Sequence, residues 1–297
     1  MRVVTLLPSA TEIVAALGAG ASLAGVSHEC DYPDWVRRLP RVTGTPVDPS
    51  LPGAAIDAEV RRLREFGRAV VTVDAEALES LSPDVIIAQD LCEVCAVADG
   101  AVHRLAAVMT RAPEILTLRG RTLDGVLEDI RRTARSLGLA RQGEALVDAL
   151  RERLQRLRQQ AAGARRRVLC IEWLEPLYLA GHWVPDLIAA AGGTDIGARS
   201  GDHSKVTDWE AVAALQPDLI VVMLCGFGVE RARAELDRLD GPLASCLWRG
   251  CADSVWLLDG NAYTSRAGPR LVDGAERLHS AMAGRDMPGL ERWRPQG

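Results

Sequence analysis

A short element that occurs twice constrains this chain more than anything else in it. Leu81-Ser82-Pro83-Asp84, running into Val85-Ile86-Ile87, returns as Leu215-Gln216-Pro217-Asp218, running into Leu219-Ile220-Val221. Each copy is a proline turn that feeds an unbroken apolar run, the pattern of a strand covered on both faces. Between the copies lies 141–163, rich in strong helix formers and free of proline. There Leu146, Leu150, Leu154 and Leu157 fall on one face of a helix, and Gly163 is a natural stop. At 1.5 Å per residue that helix would be roughly 30 Å long. The expectation is an α/β protein of two Rossmann-like lobes with parallel sheets, joined by one long rigid helix. The lobes are 1–140 and 164–297, and the connecting backbone helix is 141–163.

Length agrees with two lobes, because 297 residues exceed what one core comfortably serves. The net charge of −5 supplies no basic footprint and argues against a nucleic-acid partner. No apolar run approaches the ~20 residues of a membrane span. The apolar stretch after Met1-Arg2 ends at Pro8, too early for the core of a secretion signal, and no lipid-acceptor cysteine follows it. Seven cysteines, an odd number, fit reduced thiols. The localisation expected from these features is cytoplasmic.

Strands are expected at 3–7, 23–26, 69–73, 85–88 and 115–118 in the first lobe, and at 167–171, 177–180, 219–223 and 255–258 in the second. Helices alternate with them, which argues for parallel pairing. Ligands of such sheets sit outside the carboxyl ends of the strands. In the first lobe those loops carry Ser9, Thr11, His28, Glu29, Cys30, Tyr32, Asp90, Cys92 and Cys95. His28, Cys30, Cys92 and Cys95 are the ligand types of a Cys3His zinc site or an Fe–S cluster. Cys92 and Cys95 alone could be a redox dithiol, and plain packing of small thiols is the third reading. The second lobe offers Trp173, Trp183 and Phe227 after strands, with Lys205, the sole lysine, in a polar loop. Flat rings suit a large planar or macrocyclic ligand. No nucleophile elbow, phosphate loop or dinucleotide fingerprint is present, so a binder is favoured over an enzyme.

The opening Arg2-Val3-Val4-Thr5-Leu6-Leu7-Pro8-Ser9-Ala10-Thr11-Glu12, the paired Leu-x-Pro-Asp elements, the long helix and the closing Gly268-Pro269-Arg270-Leu271-Val272-Asp273-Gly274 resemble a known family. It is the cobalamin- and iron-siderophore-binding receptors of ABC uptake systems, the class III solute-binding fold with a helical backbone, and the likeness is greatest to the cobalamin branch. The resemblance covers essentially the whole chain. It implies non-catalytic binding of cobalamin or another corrinoid or metal chelate in a cleft that opens and closes little. It also implies a glutamate on each lobe for docking to permease arginines. The matching positions, seven before each proline, are Glu76 and Glu210. Both also suit the first turn of a helix, and Thr207-Asp208-Trp209-Glu210 reads as a capping box. The missing export signal and the cysteine-bearing loops depart from the family and suggest a cytosolic offshoot. The rival is a chelatase-like enzyme, in which His28 and Glu29 would strip water from a metal ion.

Overall fold

The computed structural model describes residues 1–90, 97, 99–161, 166–239 and 255–294. By internal contacts the chain divides into two units. The first is Met1–Leu51, Ala55–Gly120 and Asp124–Ala149; the second is Pro52–Ala54, Arg121–Leu123 and Leu150–Gly297.

Up to the end of the first unit the elements run β1 (Val3–Thr5), α1 (Pro8–Ala16), β2 (Leu23–Gly25), β3 (Thr43–Gly44), α2 (Gly53–Glu65), β4 (Thr72–Val73), α3 (Ala75–Leu81), β5 (Val85–Gln89), α4 (Asp99–Val108), β6 (Glu114–Leu118), α5 (Leu123–Ser136) and α6 (Ala140–Gln160), of which α6 belongs to the first unit as far as Ala149 and to the second from Leu150. Its sheet has the order β2-β1-β5-β6, and every pairing is parallel. Val4, Leu6, Val42, Leu78, Ile86 and Val102 pack into one buried cluster around it. Ser82 takes a left-handed backbone, φ 44°, to end α3 and turn the chain. Asp84 then accepts the N–H of Arg2 at 2.7 Å, which sets β5 beside β1. The strand expected at 69–73 shortens to β4, which pairs antiparallel with β3 away from the main sheet.

The second unit holds β7 (Arg167–Trp173), β8 (Tyr178–Leu179), α7 (Val184–Ala190), β9 (Thr194–Asp195), β10 (Lys205–Val206), α8 (Trp209–Ala214), β11 (Leu219–Val222), α9 (Val229–Asp237), β12 (Val255–Leu258), α10 (Gly260–Tyr263), α11 (Leu271–Met282) and β13 (Leu290–Arg292). Its parallel centre is β7-β11-β12, with β9 joined parallel to β7. Here the sheet departs from the all-parallel expectation: β8, β10 and β13 pair antiparallel at its margins. For β8 the cause is connection length, since four residues between β7 and β8 permit a reversal but no crossover helix. Gly260 is required where β12 gives way to α10, because a Cβ there would run into the carbonyl oxygen of Leu224.

Helix α6 is unbroken, and its stripe is Val147, Leu150, Leu154 and Leu157, all buried. Val147 takes the inward position that spacing had given to Leu146, and Gly143 lets the same face lie against Ala134 of α5. Among the described residues no helix is long and apolar enough to cross a membrane.

Candidate ligand-binding site

In the first unit the carboxyl ends of four parallel strands present the loops that follow Thr5, Gly25, Gln89 and Leu118. Ser9 and Thr11 lie in α1, and both are buried. Thr11 Oγ1 stands 2.5 Å from Thr5 Oγ1 and 3.1 Å from Cys30 Sγ, so its hydroxyl is occupied inside the unit. Cys30 is buried as well, its thiol turned onto Thr11. His28 is held elsewhere. Its Nδ1 lies 2.7 Å from Thr43 Oγ1, and its own N–H donates to the same oxygen at 3.0 Å. Thr43 in turn donates to Ser27 Oγ. With the Thr43 proton committed there, His28 Nδ1 is the donor, which leaves Nε2 as the acceptor of the ring. Burial, and secondarily the guanidinium of Arg41, hold the His28 pKa below its ordinary value, so the ring is a neutral imidazole at physiological pH.

The four-ligand metal expectation therefore has only two members to compare. His28 faces Thr43 and Cys30 faces Thr11, while Cys92 and Cys95 lie outside the described residues. Among the described residues there is no group of three or more His, Cys, Asp or Glu side chains able to hold an ion. Nearer solvent are Glu29 and Tyr32, the latter 47% exposed. Asp90 is also at the surface, 4.0 Å from Arg119 Nε. Buried Asp129 draws the loop after β6 into shape by accepting the N–H groups of Arg119 and Gly120, each at 2.7 Å.

The second unit places Trp173 at the end of β7 and Phe227 in the turn after β11. Their ring centroids are 5.3 Å apart at 57°, a tilted aromatic pair. Arg231, one turn into α9, lays its guanidinium 3.7 Å from the Phe227 centroid. Trp173 Nε1 donates to the carbonyl of Glu175 at 3.1 Å, fixing the indole plane. Pro52–Ala54 covers this pair: Gly53 lies against the indole, and its N–H donates to Glu235 Oε2 at 3.0 Å. The space left beside the rings is about 10 Å³, enough for at most one water.

Trp183 is not part of that wall. Strand β8 is antiparallel to β7, which directs its end away from Trp173. Trp183 follows it into the interior, where Nε1 donates to the Thr264 carbonyl at 2.8 Å. Lys205 is likewise displaced from the expected loop. It lies in β10, opposite Leu179, exposed and 3.4 Å from Asp202. Next to it His182 and His203 meet edge to face at 5.5 Å, and Arg121 Nη1 lies 3.1 Å from His203 Nε2. Burial, then the neighbouring His203 and Arg121, keep the pKa of His182 low. Arg121, Arg231, Glu235 and Gly53 were not singled out by the sequence.

Residues 3–240 match the model of a family described as periplasmic binding protein. The chain belongs to that family. The vitamin B12-binding protein of Vibrio cholerae is 26% identical over 284 residues, covering 93% of this chain and 87% of the relative. An uncharacterized ABC transporter substrate-binding lipoprotein of Bacillus subtilis is 24% identical over 289 residues, with 93% and 78% covered. Among solved structures, a periplasmic heme binding protein from Pseudomonas aeruginosa superposes with a TM-score of 0.75 at 22% identity, over 100% of this chain and 99% of the other. The periplasmic vitamin B12 binding protein of Vibrio cholerae gives 0.68 at 24%, over 95% and 96%.

These findings make the chain a non-catalytic solute-binding protein of the periplasmic binding protein family. The chelatase-like alternative falls with them. They also correct the localisation expected from the sequence. Relatives described as periplasmic or as a lipoprotein point to an extracytoplasmic location rather than the cytoplasm. The apolar run at residues 3–7 supplies the buried first strand, as expected, with Val3–Thr5 as its hydrogen-bonded part.

Proposed function

We propose that this protein binds cobalamin or a closely related corrinoid and delivers it to an ABC permease. The observation that carries the reading is the relationship to the vitamin B12-binding protein along 93% of the chain. The chemistry of the two units supports it. In the second, half-buried Trp173 offers the accessible part of its indole to the apolar face of a macrocycle, and buried Phe227 supports that ring from behind. In the first, His28 is a neutral imidazole with Nδ1 tied to Thr43, which leaves Nε2 available as an axial nitrogen donor to cobalt. Glu29, Tyr32 and Asp90 supply polar groups for the amide fringe of a corrinoid.

Docking falls to Glu76 and Glu210. Both are exposed, two residues after an aspartate that caps its helix. Asp74 accepts the N–H of Ala77 at 2.9 Å, and Asp208 that of Ala211 at 2.8 Å. Because the aspartates do the capping, each glutamate is left for a partner arginine.

Titration of the purified protein with cyanocobalamin, hemin and a ferric hydroxamate, followed by calorimetry and absorbance, tests the reading. Saturable cobalamin binding tighter than that of the other two is expected. Saturation by hemin with no response to cobalamin at high micromolar concentration would overturn it.

A further inference from the structure

A groove of about 460 Å³ runs over the second unit between the last two turns of α6 and the end of α11, closed at one side by the segment before β13. That volume is within the size range of small-molecule sites. Its floor is partly apolar, with buried Leu157 and half-buried Met287. Its walls are cationic in a chain whose net charge is −5: Arg153, Arg156 and Arg285 against Glu276 alone.

The single acid is already committed. Arg153 donates to both oxygens of Glu276, at 3.0 and 2.8 Å, and to Asp273 at 2.5 Å. Arg156 has only a loose contact, 3.9 Å from Glu152, with both side chains more than 60% exposed. Arg285 has no ion-pair partner among the described residues. His279 also lines the groove, its Nδ1 donating to the Ala191 carbonyl at 3.1 Å. Two guanidinium forks with no carboxylate inside hydrogen-bond distance among the described residues suit an oxyanion that accepts hydrogen bonds in pairs, and phosphate offers the most oxygens for that.

We propose that this groove is a second binding site, distinct from the solute site, for a small organic phosphate. Arg156 and Arg285 grip the phosphate, His279 and Gln160 border it, and Leu157 with Met287 cover the organic stem. The same chemistry is found in a free phosphate ester and in the headgroup of an anionic phospholipid. For an extracytoplasmic protein serving a membrane permease, either source is at hand.

The experiment is a calorimetric titration with glycerol 3-phosphate and with succinate, paired with co-sedimentation on vesicles of phosphatidylglycerol or of phosphatidylcholine. Each assay is run on the native protein and on the double variant Arg156→Glu/Arg285→Glu. Glycerol 3-phosphate is expected to bind the native protein and to lose at least about tenfold in affinity in the variant, the cost of a lost charge-assisted contact. Sedimentation with phosphatidylglycerol only, abolished in the variant, would assign the source to a lipid. The variant should melt and take up cobalamin as the native protein does, because both arginines are exposed. Equal binding of succinate, binding unaltered in the variant, or no binding in either assay would each overturn the proposal.

Discussion

The backbone N–H of Arg167 donates to Asp218 Oδ2 at 2.7 Å, and the Arg167 guanidinium reaches the carbonyl of Leu215 at 2.7 Å. The pair reproduces Arg2 with Asp84 and Leu81 in the first unit. In both copies the aspartate of Leu-x-Pro-Asp ties the start of one central strand to the start of the next. Gln216, φ 48°, turns the chain as Ser82 does. The bond to Arg2, together with nearby Arg111 and the amino terminus, holds the Asp84 carboxyl below its usual range. A depressed carboxylate stabilises the folded state above its unfolded pKa, and that contribution is lost as pH falls through the folded value. Asp84→Asn should therefore flatten the acid limb of the first unit's melting profile and have its largest effect near neutrality. Thermal melts across pH check this; an unchanged acid limb would refute it.

Trp173 and Trp183 should respond oppositely to truncation. Trp183→Ala removes a buried ring and its bond to Thr264, at a cost of about 3–5 kcal/mol, and should leave ligand affinity per folded molecule intact. Trp173→Ala should cost less stability than Trp183→Ala, because its ring is only half-buried, but weaken cobalamin binding by about tenfold, one lost apolar contact. Denaturant melts and calorimetry on both variants separate the two roles.

The corrinoid assignment gives His28 a measurable signature. Aquocobalamin, with an exchangeable axial position, should bind the native protein more tightly than cyanocobalamin, and His28→Ala should erase the difference. The same ring affects stability. Its folded pKa is depressed, so the unfolded chain takes up the proton first, and stability falls as pH drops from about 6.5 toward the folded value. His28→Gln should remove that loss, which melts between pH 5 and pH 7 would detect.

Asp195 carries a strain of the opposite sign. Its Oδ1 accepts the N–H groups of Gly197 and Ala198, at 2.7 and 2.9 Å, while Oδ2 is buried with no partner among the described residues. Burial raises its pKa, and the two amide bonds only partly counter that. The folded state then binds the extra proton, so stability is lost as pH rises from the unfolded toward the folded pKa and stays lost at neutrality. Asp195→Asn keeps the Oδ1 acceptor and removes the charge. It should raise the melting temperature at neutral pH and have little effect at about pH 3, below both pKa values.

Permease docking predicts a double variant with a silent fold. Glu76→Ala/Glu210→Ala should melt and bind ligand as the native protein does, because the helix caps belong to Asp74 and Asp208. It should fail to stimulate the ATPase of the cognate permease reconstituted in liposomes. Full stimulation would remove both residues from the interface.

Local information sufficed wherever a segment decides its own fate. Residues 75–81 form α3 because Asp74 caps one end and the Leu-x-Pro-Asp turn closes the other. The apolar runs after the two Pro-Asp turns are the buried centres of two sheets, as their lack of alternation required. The polar and aromatic candidates fared unevenly, since a sequence states which residue follows a strand and not which way that strand runs. A two-residue antiparallel β8 carried Trp183 inward and put Lys205 in an edge strand.

Burial had the same effect on the thiol–imidazole pair. Cys30 and His28 are two residues apart, yet one bonds Thr11 in α1 and the other Thr43 in β3. Helix α2 begins at Gly53, and that start covers Trp173. By itself, then, the sequence determined the two-part α/β plan and its family, because strand, helix and turn preferences act over a few neighbouring residues. Which side chains reach a ligand was decided only in three dimensions, because it depends on strand direction and on partners from 15 to more than 180 residues away.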